Sequence, residues 1–236
     1  MDGFLGIVGG MGPLATADFL KKLVEATPAQ CDQEHIPVLL YGDCTVPDRT
    51  AYIVGKGPSP LPKLLTGIRF LNDAGVRAIC VPCNTSHSWF DELQAASKVP
   101  LIHIVDACAR AVRRAHPDAR RVGVLSTEGV HRTRVYADSL QRLGFEPLCP
   151  TPDEFARWVS PGIAHVKAGR PGDAAPLFRA ATASLVERGA ESVVLGCTEI
   201  PLGMERQRAE TPSLFVDSTE ALARAVVDFF QAERTA

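Results

Sequence analysis

Short apolar runs alternate with longer amphipathic segments along the whole chain. In the first half the runs are Phe4 to Val8 (FLGIV), Ile36 to Tyr41 (IPVLLY), Val76 to Val81 (VRAICV) and Leu101 to Ile104. In the second half they are Arg121 to Leu125 (RVGVL), Phe145 to Leu148, Ser192 to Leu195 (SVVL) and Leu214 to Val216. Near-continuous apolar runs of this length predict strands buried on both faces, the habit of parallel sheets. Between them, spacing predicts helices from Leu14 to Ala26, Leu64 to Ala74, Trp89 to Ala96, Asp106 to Ala115, His131 to Leu143, Pro171 to Arg188 and Ser218 to Glu233. Gly75, Gly144 and Gly189 stand where three of these should stop. The Gly- and Pro-rich stretch Gly42 to Pro62 predicts a functional loop holding a short helix. Asp153 to Gly169 is ambiguous, with Pro161-Gly162 inside it.

Strands alternating with helices predict an α/β fold built on parallel sheets. The two halves also resemble each other. FLGIVGG is echoed by RVGVLST, and AICVPCNTS by SVVLGCTEI. The first turn and first cysteine motif are 83 − 9 = 74 residues apart, and their counterparts 197 − 126 = 71. The expectation is two pseudo-symmetric lobes, each a parallel sheet flanked by helices. Their bounds would be 1–104 and 105–213, with 214–236 a candidate to pack back on the first lobe. The active site should lie in the cleft between lobes, because ligands of open α/β sheets sit at the carboxyl ends of the strands.

Composition narrows the function. The 236 residues are 46% hydrophobic and 22% charged, with a net charge of −2. That leaves no basic field for nucleic acid and no run long enough to span a bilayer. The start, Met1-Asp2-Gly3, lacks a basic n-region, so a cytoplasmic location is expected. Seven cysteines without a signal peptide argue against a disulfide framework.

Two of those cysteines carry candidate chemistry. Cys83 and Cys197 each follow a strand-like run and precede polar residues, Asn84-Thr85-Ser86-His87 and Thr198-Glu199. Such residues make poor core but good ligands and caps. A thiol at a helix start can have its pKa lowered, and then serves as base or, once protonated, as acid. Two thiols in matching places suggest a two-base proton-transfer site of the kind a cofactor-independent amino-acid racemase needs. Arg49 and Lys167, each expected in a Gly/Pro-rich loop, would bind the carboxylates of an acidic amino acid. His87 and Glu199 read equally well as structural.

Other readings compete. Cys80-Val81-Pro82-Cys83 is formally a CxxC, yet Cys80 falls inside the strand and no further zinc ligands stand nearby in sequence. Asp32 to His35 resembles a metal cluster only superficially, so no metal is expected. Gly10-Met11-Gly12-Pro13-Leu14-Ala15 fits the dinucleotide fingerprint, but Pro13 removes an N–H and the next acidic strand end, Asp43, comes late. A two-lobed sensor with unused cysteines is a further alternative.

GGMGPLAT (Gly9 to Thr16), DQEHIP (Asp32 to Pro37), PDRT (Pro47 to Thr50), PCNTSH (Pro82 to His87) and LGCTEIPL (Leu195 to Leu202) together resemble the aspartate/glutamate racemase superfamily, its aspartate branch most closely. The resemblance implies a homodimer and racemisation without pyridoxal phosphate or metal. It implies that Cys83 and Cys197 are paired bases, and that Asn84, Thr85 and Thr198 hold the α-carboxylate and amine. Arg49 and Lys167 would read the distal carboxylate, while Met11 and Thr127 would line the cleft. Ser86, where a small apolar residue is common, and Gly55 to Pro60 depart from the pattern and touch substrate detail. Glutamate and broad-specificity racemases, maleate isomerases and arylmalonate decarboxylases are related possibilities.

Overall fold

The computed structural model describes residues 3–232. Two compact units emerge. One runs to Ala107 and takes up again at Thr219; the other is Cys108–Ser218. Each holds a four-stranded, all-parallel sheet.

In the first unit the strands are β1 (Leu5–Gly9), β2 (Val38–Gly42), β3 (Ala78–Cys80) and β4 (Leu101–Ile102), in the order β2-β1-β3-β4. In the second they are β5 (Arg121–Ser126), β6 (Glu146–Leu148), β7 (Ser192–Gly196) and β8 (Phe215–Asp217), in the order β6-β5-β7-β8. The two orders are the same, which gives the sequence echo its structural meaning. The inner strands β1, β3 and β7 are buried throughout, whereas edge strands β2 and β6 alternate or open to solvent. Helices cover the faces, as parallel connections require.

The cores follow from the helix stripes. Leu64, Ile68 and Leu71 from Leu61–Asp73 pack with Val8, Ile79 and Val81 in the first unit. Ala174, Phe178, Ala181 and Leu185 from Pro171–Glu187 pack with Leu125, Val193 and Leu195 in the second.

The C-terminal segment divides. β8 pairs with β7, so the strand stays in the second sheet, and only the helix Ser218–Ala232 passes to the first unit. There Arg77 lies over the ring of Phe230 with its guanidinium carbon 5.8 Å from the centroid.

Two expected elements are corrected. The helix expected from His131 to Leu143 starts earlier and is broken: Glu128–Arg132 and Val135–Arg142 flank Arg134, whose φ of 58° is left-handed. The ambiguous stretch is helical: Pro152–Glu154, a π-helical turn Phe155–Val159, then Ser160–Lys167. Pro161 follows the π-helical turn directly, inside an unbroken helical run from Pro152 to Lys167. No helix among the described residues is long and apolar enough to cross a membrane.

Candidate active site

The order β2-β1-β3-β4 reverses direction between β1 and β3, and β6-β5-β7-β8 does so between β5 and β7. The loops at such a switch point diverge and leave a crevice at the strands' carboxyl ends. Met11 and Cys83 lie in these loops of the first unit; Thr127 and Cys197 lie in those of the second.

In the first unit the turn after β1 is fixed by its own residues. Gly10 has φ +93°, and an added Cβ would come 2.5 Å from the Asp43 backbone, so only glycine fits. Thr16 Oγ1 accepts from the Gly10 N–H at 2.9 Å and donates to the Gly12 carbonyl at 2.9 Å. Arg49 is buried, at 8% exposure, and opens the short helix Arg49–Ile53, whose cap Asp48 accepts from the Ala51 N–H. Its guanidinium donates to the carbonyls of Val46 (3.4 Å), Pro47 (3.2 Å) and Met11 (3.4 Å). Arg49 thereby ties the β2 loop to the β1 turn.

Cys83 follows β3 through a tight turn in which its N–H donates to the Val81 carbonyl at 2.7 Å. Met11 and Cys83 belong to one apolar cluster. Asn84, Thr85, Ser86 and His87 are all buried. The Ser86 hydroxyl donates to Met11 Sδ at 3.4 Å, so this departure from the family pattern serves the Met11 turn. Cys80 lies in β3, fully buried, where burial pushes its thiol far up, and both Cys80 and Cys83 are free.

In the second unit Cys197 Sγ donates to Glu199 Oε2 at 3.1 Å, and the Thr198 hydroxyl donates to the same oxygen at 3.2 Å. Burial pushes the Cys197 thiol well up; the Glu199 carboxylate adds to this and the Lys167 charge opposes it. Lys167 is the last residue of the helix Ser160–Lys167 and is exposed, which corrects its expected place in a loop. Thr127 caps the helix Glu128–Arg132, with its Oγ1 accepting from the Val130 N–H at 3.2 Å.

The expected helix-start stabilisation of thiolates is also corrected. A five-residue 3-10 segment, Thr85–Trp89, follows Cys83, and a four-residue helix, Ile200–Gly203, follows Cys197. Segments this short carry little macrodipole, and Cys197 moves up, not down. Beneath Cys197 lies a network the sequence did not signal. The Tyr136 hydroxyl is hydrogen-bonded to Cys108 and Ser218, and Ser218 Oγ donates to the Leu195 carbonyl at 2.8 Å. The Tyr136 ring also packs where a Cβ on Gly196 would lie, 3.0 Å from Cε2.

Residues 8–226 match the family model described as Asp/Glu/Hydantoin racemase. The chain belongs to this family. Its fold is similar to that of Picrophilus torridus aspartate racemase, with TM-score 0.84 and 30% identity over 96% of this chain and 94% of that one. It is 25% identical to the broad specificity amino-acid racemase RacX of Bacillus subtilis, over 97% of this chain and 98% of the relative. It is 28% identical to the glutamate racemase of Geobacter metallireducens, over 94% of this chain and 77% of that relative.

Proposed function

We propose that this chain racemises an acidic amino acid, aspartate foremost, by two-base proton transfer between Cys83 and Cys197, without pyridoxal phosphate or metal. The observation that carries the reading is the repeated placement of a buried thiol at the end of the third strand of each sheet, followed by buried polar side chains. One thiolate removes the α-proton, and the other thiol returns a proton to the opposite face. The two sulfurs then exchange protonation states, and the enantiomer runs the cycle backward. Burial and the hydrogen bond to Glu199 favour the protonated form of Cys197, the form that returns a proton.

Asn84, Thr85 and Thr198 receive the α-carboxylate and amine, and N–H and hydroxyl donors stabilise the charge that develops there. Arg49 and Lys167 read the distal carboxylate, which favours a dicarboxylate. Met11 and Thr127 shape the walls. Ser86 acts through Met11, and Glu199 through Cys197. The likeness to the Picrophilus enzyme supports aspartate, while the likeness to RacX and the Geobacter enzyme favours keeping broad-specificity and glutamate turnover as the second reading. The protein is proposed to work as a cytoplasmic homodimer.

The test is proton NMR in deuterated water with L-aspartate, and with L-glutamate in parallel. Loss of the α-proton signal with growth of the D-enantiomer is expected, fastest for aspartate. Cys83→Ala and Cys197→Ala should each abolish racemisation; full turnover by either would refute the two-base mechanism.

A further inference from the structure

His87 is 3% exposed, and nothing in a proton transfer between two thiols calls for it. Its ring nevertheless joins two parts of the first unit. Nδ1 lies 2.9 Å from the Cys83 carbonyl oxygen, and Nε2 accepts from the Ile104 N–H at 3.2 Å. A carbonyl only accepts and an N–H only donates, so both bonds together require one state: neutral imidazole with its proton on Nδ1. Burial first, and then the neighbouring His103, lower the His87 pKa to about 3 against the opposing pull of the Cys83 and Ile102 carbonyls and of Asp106. The ring is held on two sides, stacked on Phe90 with centroids 5.9 Å apart and met edge-on by His103 at 4.8 Å. Ile104 is the first residue of the helix Ile104–Ala115, so His87 anchors the Cys83 turn to a helix start.

The carbonyl it holds belongs to the peptide that joins Cys83 to Asn84. In a planar trans peptide the C=O and N–H point in opposite directions. Fixing the Cys83 carbonyl toward His87 therefore aims the Asn84 N–H away from the ring and fixes the plane from which the Cys83 side chain departs. We propose that His87 is a positioning residue for the Cys83 half of the chemistry, locking the Cys83–Asn84 peptide so that the sulfur and the Asn84 N–H keep fixed directions toward the substrate. The activity arm of the test rests on the racemase reading; the alkylation arm does not.

The experiment compares the parent chain with His87→Asn, whose amide can donate from near the Nδ1 position, and His87→Leu, which fills the space but makes neither bond. Three quantities are measured: kcat and KM for each enantiomer of aspartate, the rate of Cys83 carbamidomethylation by iodoacetamide read by peptide mass spectrometry, and the urea midpoint. His87→Leu should lose about 100-fold in kcat, the size of effect a displacement near 1 Å produces, while His87→Asn recovers to within about 10-fold. KM should change little in either, and the Cys83 alkylation rate should shift in the leucine variant and return toward parent in the asparagine variant. Kinetics and Cys83 alkylation that follow the urea midpoint alone, with asparagine no better than leucine, would overturn the proposal. A parent that turns over no amino acid would refute the racemase reading, and the alkylation rates would then decide the positioning role alone.

Discussion

Gly162→Ala sets two physical effects of opposite sign against each other. Gly162 lies inside the helical run that continues from the π-helical turn into Ser160–Lys167, where alanine favours helix by about 0.5–1 kcal/mol over glycine. Packing opposes this. A Cβ at 162 would lie 2.5 Å from Phe178 Cε1 and 3.0 Å from Cδ1, while a carbon contact is comfortable only at about 3.5–4.0 Å. The ring cannot swing aside. It is fully buried, and its opposite edge meets Gly203, where a Cβ would come 2.8 Å from Cε2. Helix and ring must therefore separate by about 1 Å, an overpacking cost of about 1–3 kcal/mol. The expected net result is a loss of about 1–2 kcal/mol, read from the urea midpoint at constant m-value.

A double-mutant cycle isolates the contact. Phe178→Leu removes the ring edge, so Gly162→Ala should cost less in that background, with a coupling inside the range of about 0.5–3 kcal/mol found for touching residues. Lys167 rides on the same helix, five positions on, so the single variant should also raise the KM for aspartate. Additive effects in the cycle, or a single variant as stable as the parent, would refute the close-packing account.

Glu199→Gln removes the carboxylate that accepts from Cys197, so the thiol pKa should fall toward its ordinary range and Cys197 should alkylate faster at neutral pH; slower alkylation would mean that Glu199 acts instead as a base drawing off the thiol proton. Arg49→Lys replaces a planar donor set with an ammonium that cannot reach three carbonyls, and should cost about 1–3 kcal/mol in urea unfolding as well as raising KM. A stable Arg49→Lys chain with altered KM alone would confine the arginine to substrate. His87 titrates at about 3 in the folded chain but near 6.5 unfolded, so the unfolded state binds more protons between those values. Stability should therefore fall as pH drops from 6.5 toward 3, and His87→Asn should flatten that part of the curve in urea titrations.

The strands were legible because a parallel strand buried on both faces leaves an unbroken apolar run, as in SVVL before Cys197. The placement of both cysteines just past a strand was legible for the same reason: the polar residues after such a run mark where it ends. The break at Arg134 was not legible. A left-handed residue is usually signalled by glycine or asparagine, and here an arginine adopts it. Pro161-Gly162 left its stretch ambiguous: the proline is accommodated directly after a π-helical turn, and the glycine makes room for Phe178, a contact with no local signature. Distance in sequence hid the rest: His87 meets an N–H 17 residues on, and Ser218 a carbonyl 23 residues back.

The two halves share strand order but not the chemistry beside the thiol. The second residue after Cys197 is Glu199, whose carboxylate takes the thiol proton's hydrogen bond; the second after Cys83 is Thr85, and the Cys83 side is held through its carbonyl by His87. On the racemase reading this inequality has a restricted outlet. Enantiomers have equal free energy in water, so the equilibrium constant is unity and kcat/KM must be the same in both directions, however different the two bases are. The asymmetry can appear only in kcat and KM taken separately. Glu199→Gln should shift kcat for the two enantiomers unequally and KM with it, leaving the ratio of the two kcat/KM values at unity. Equal changes in both kcat values would mean that Glu199 does not distinguish the two directions of proton transfer.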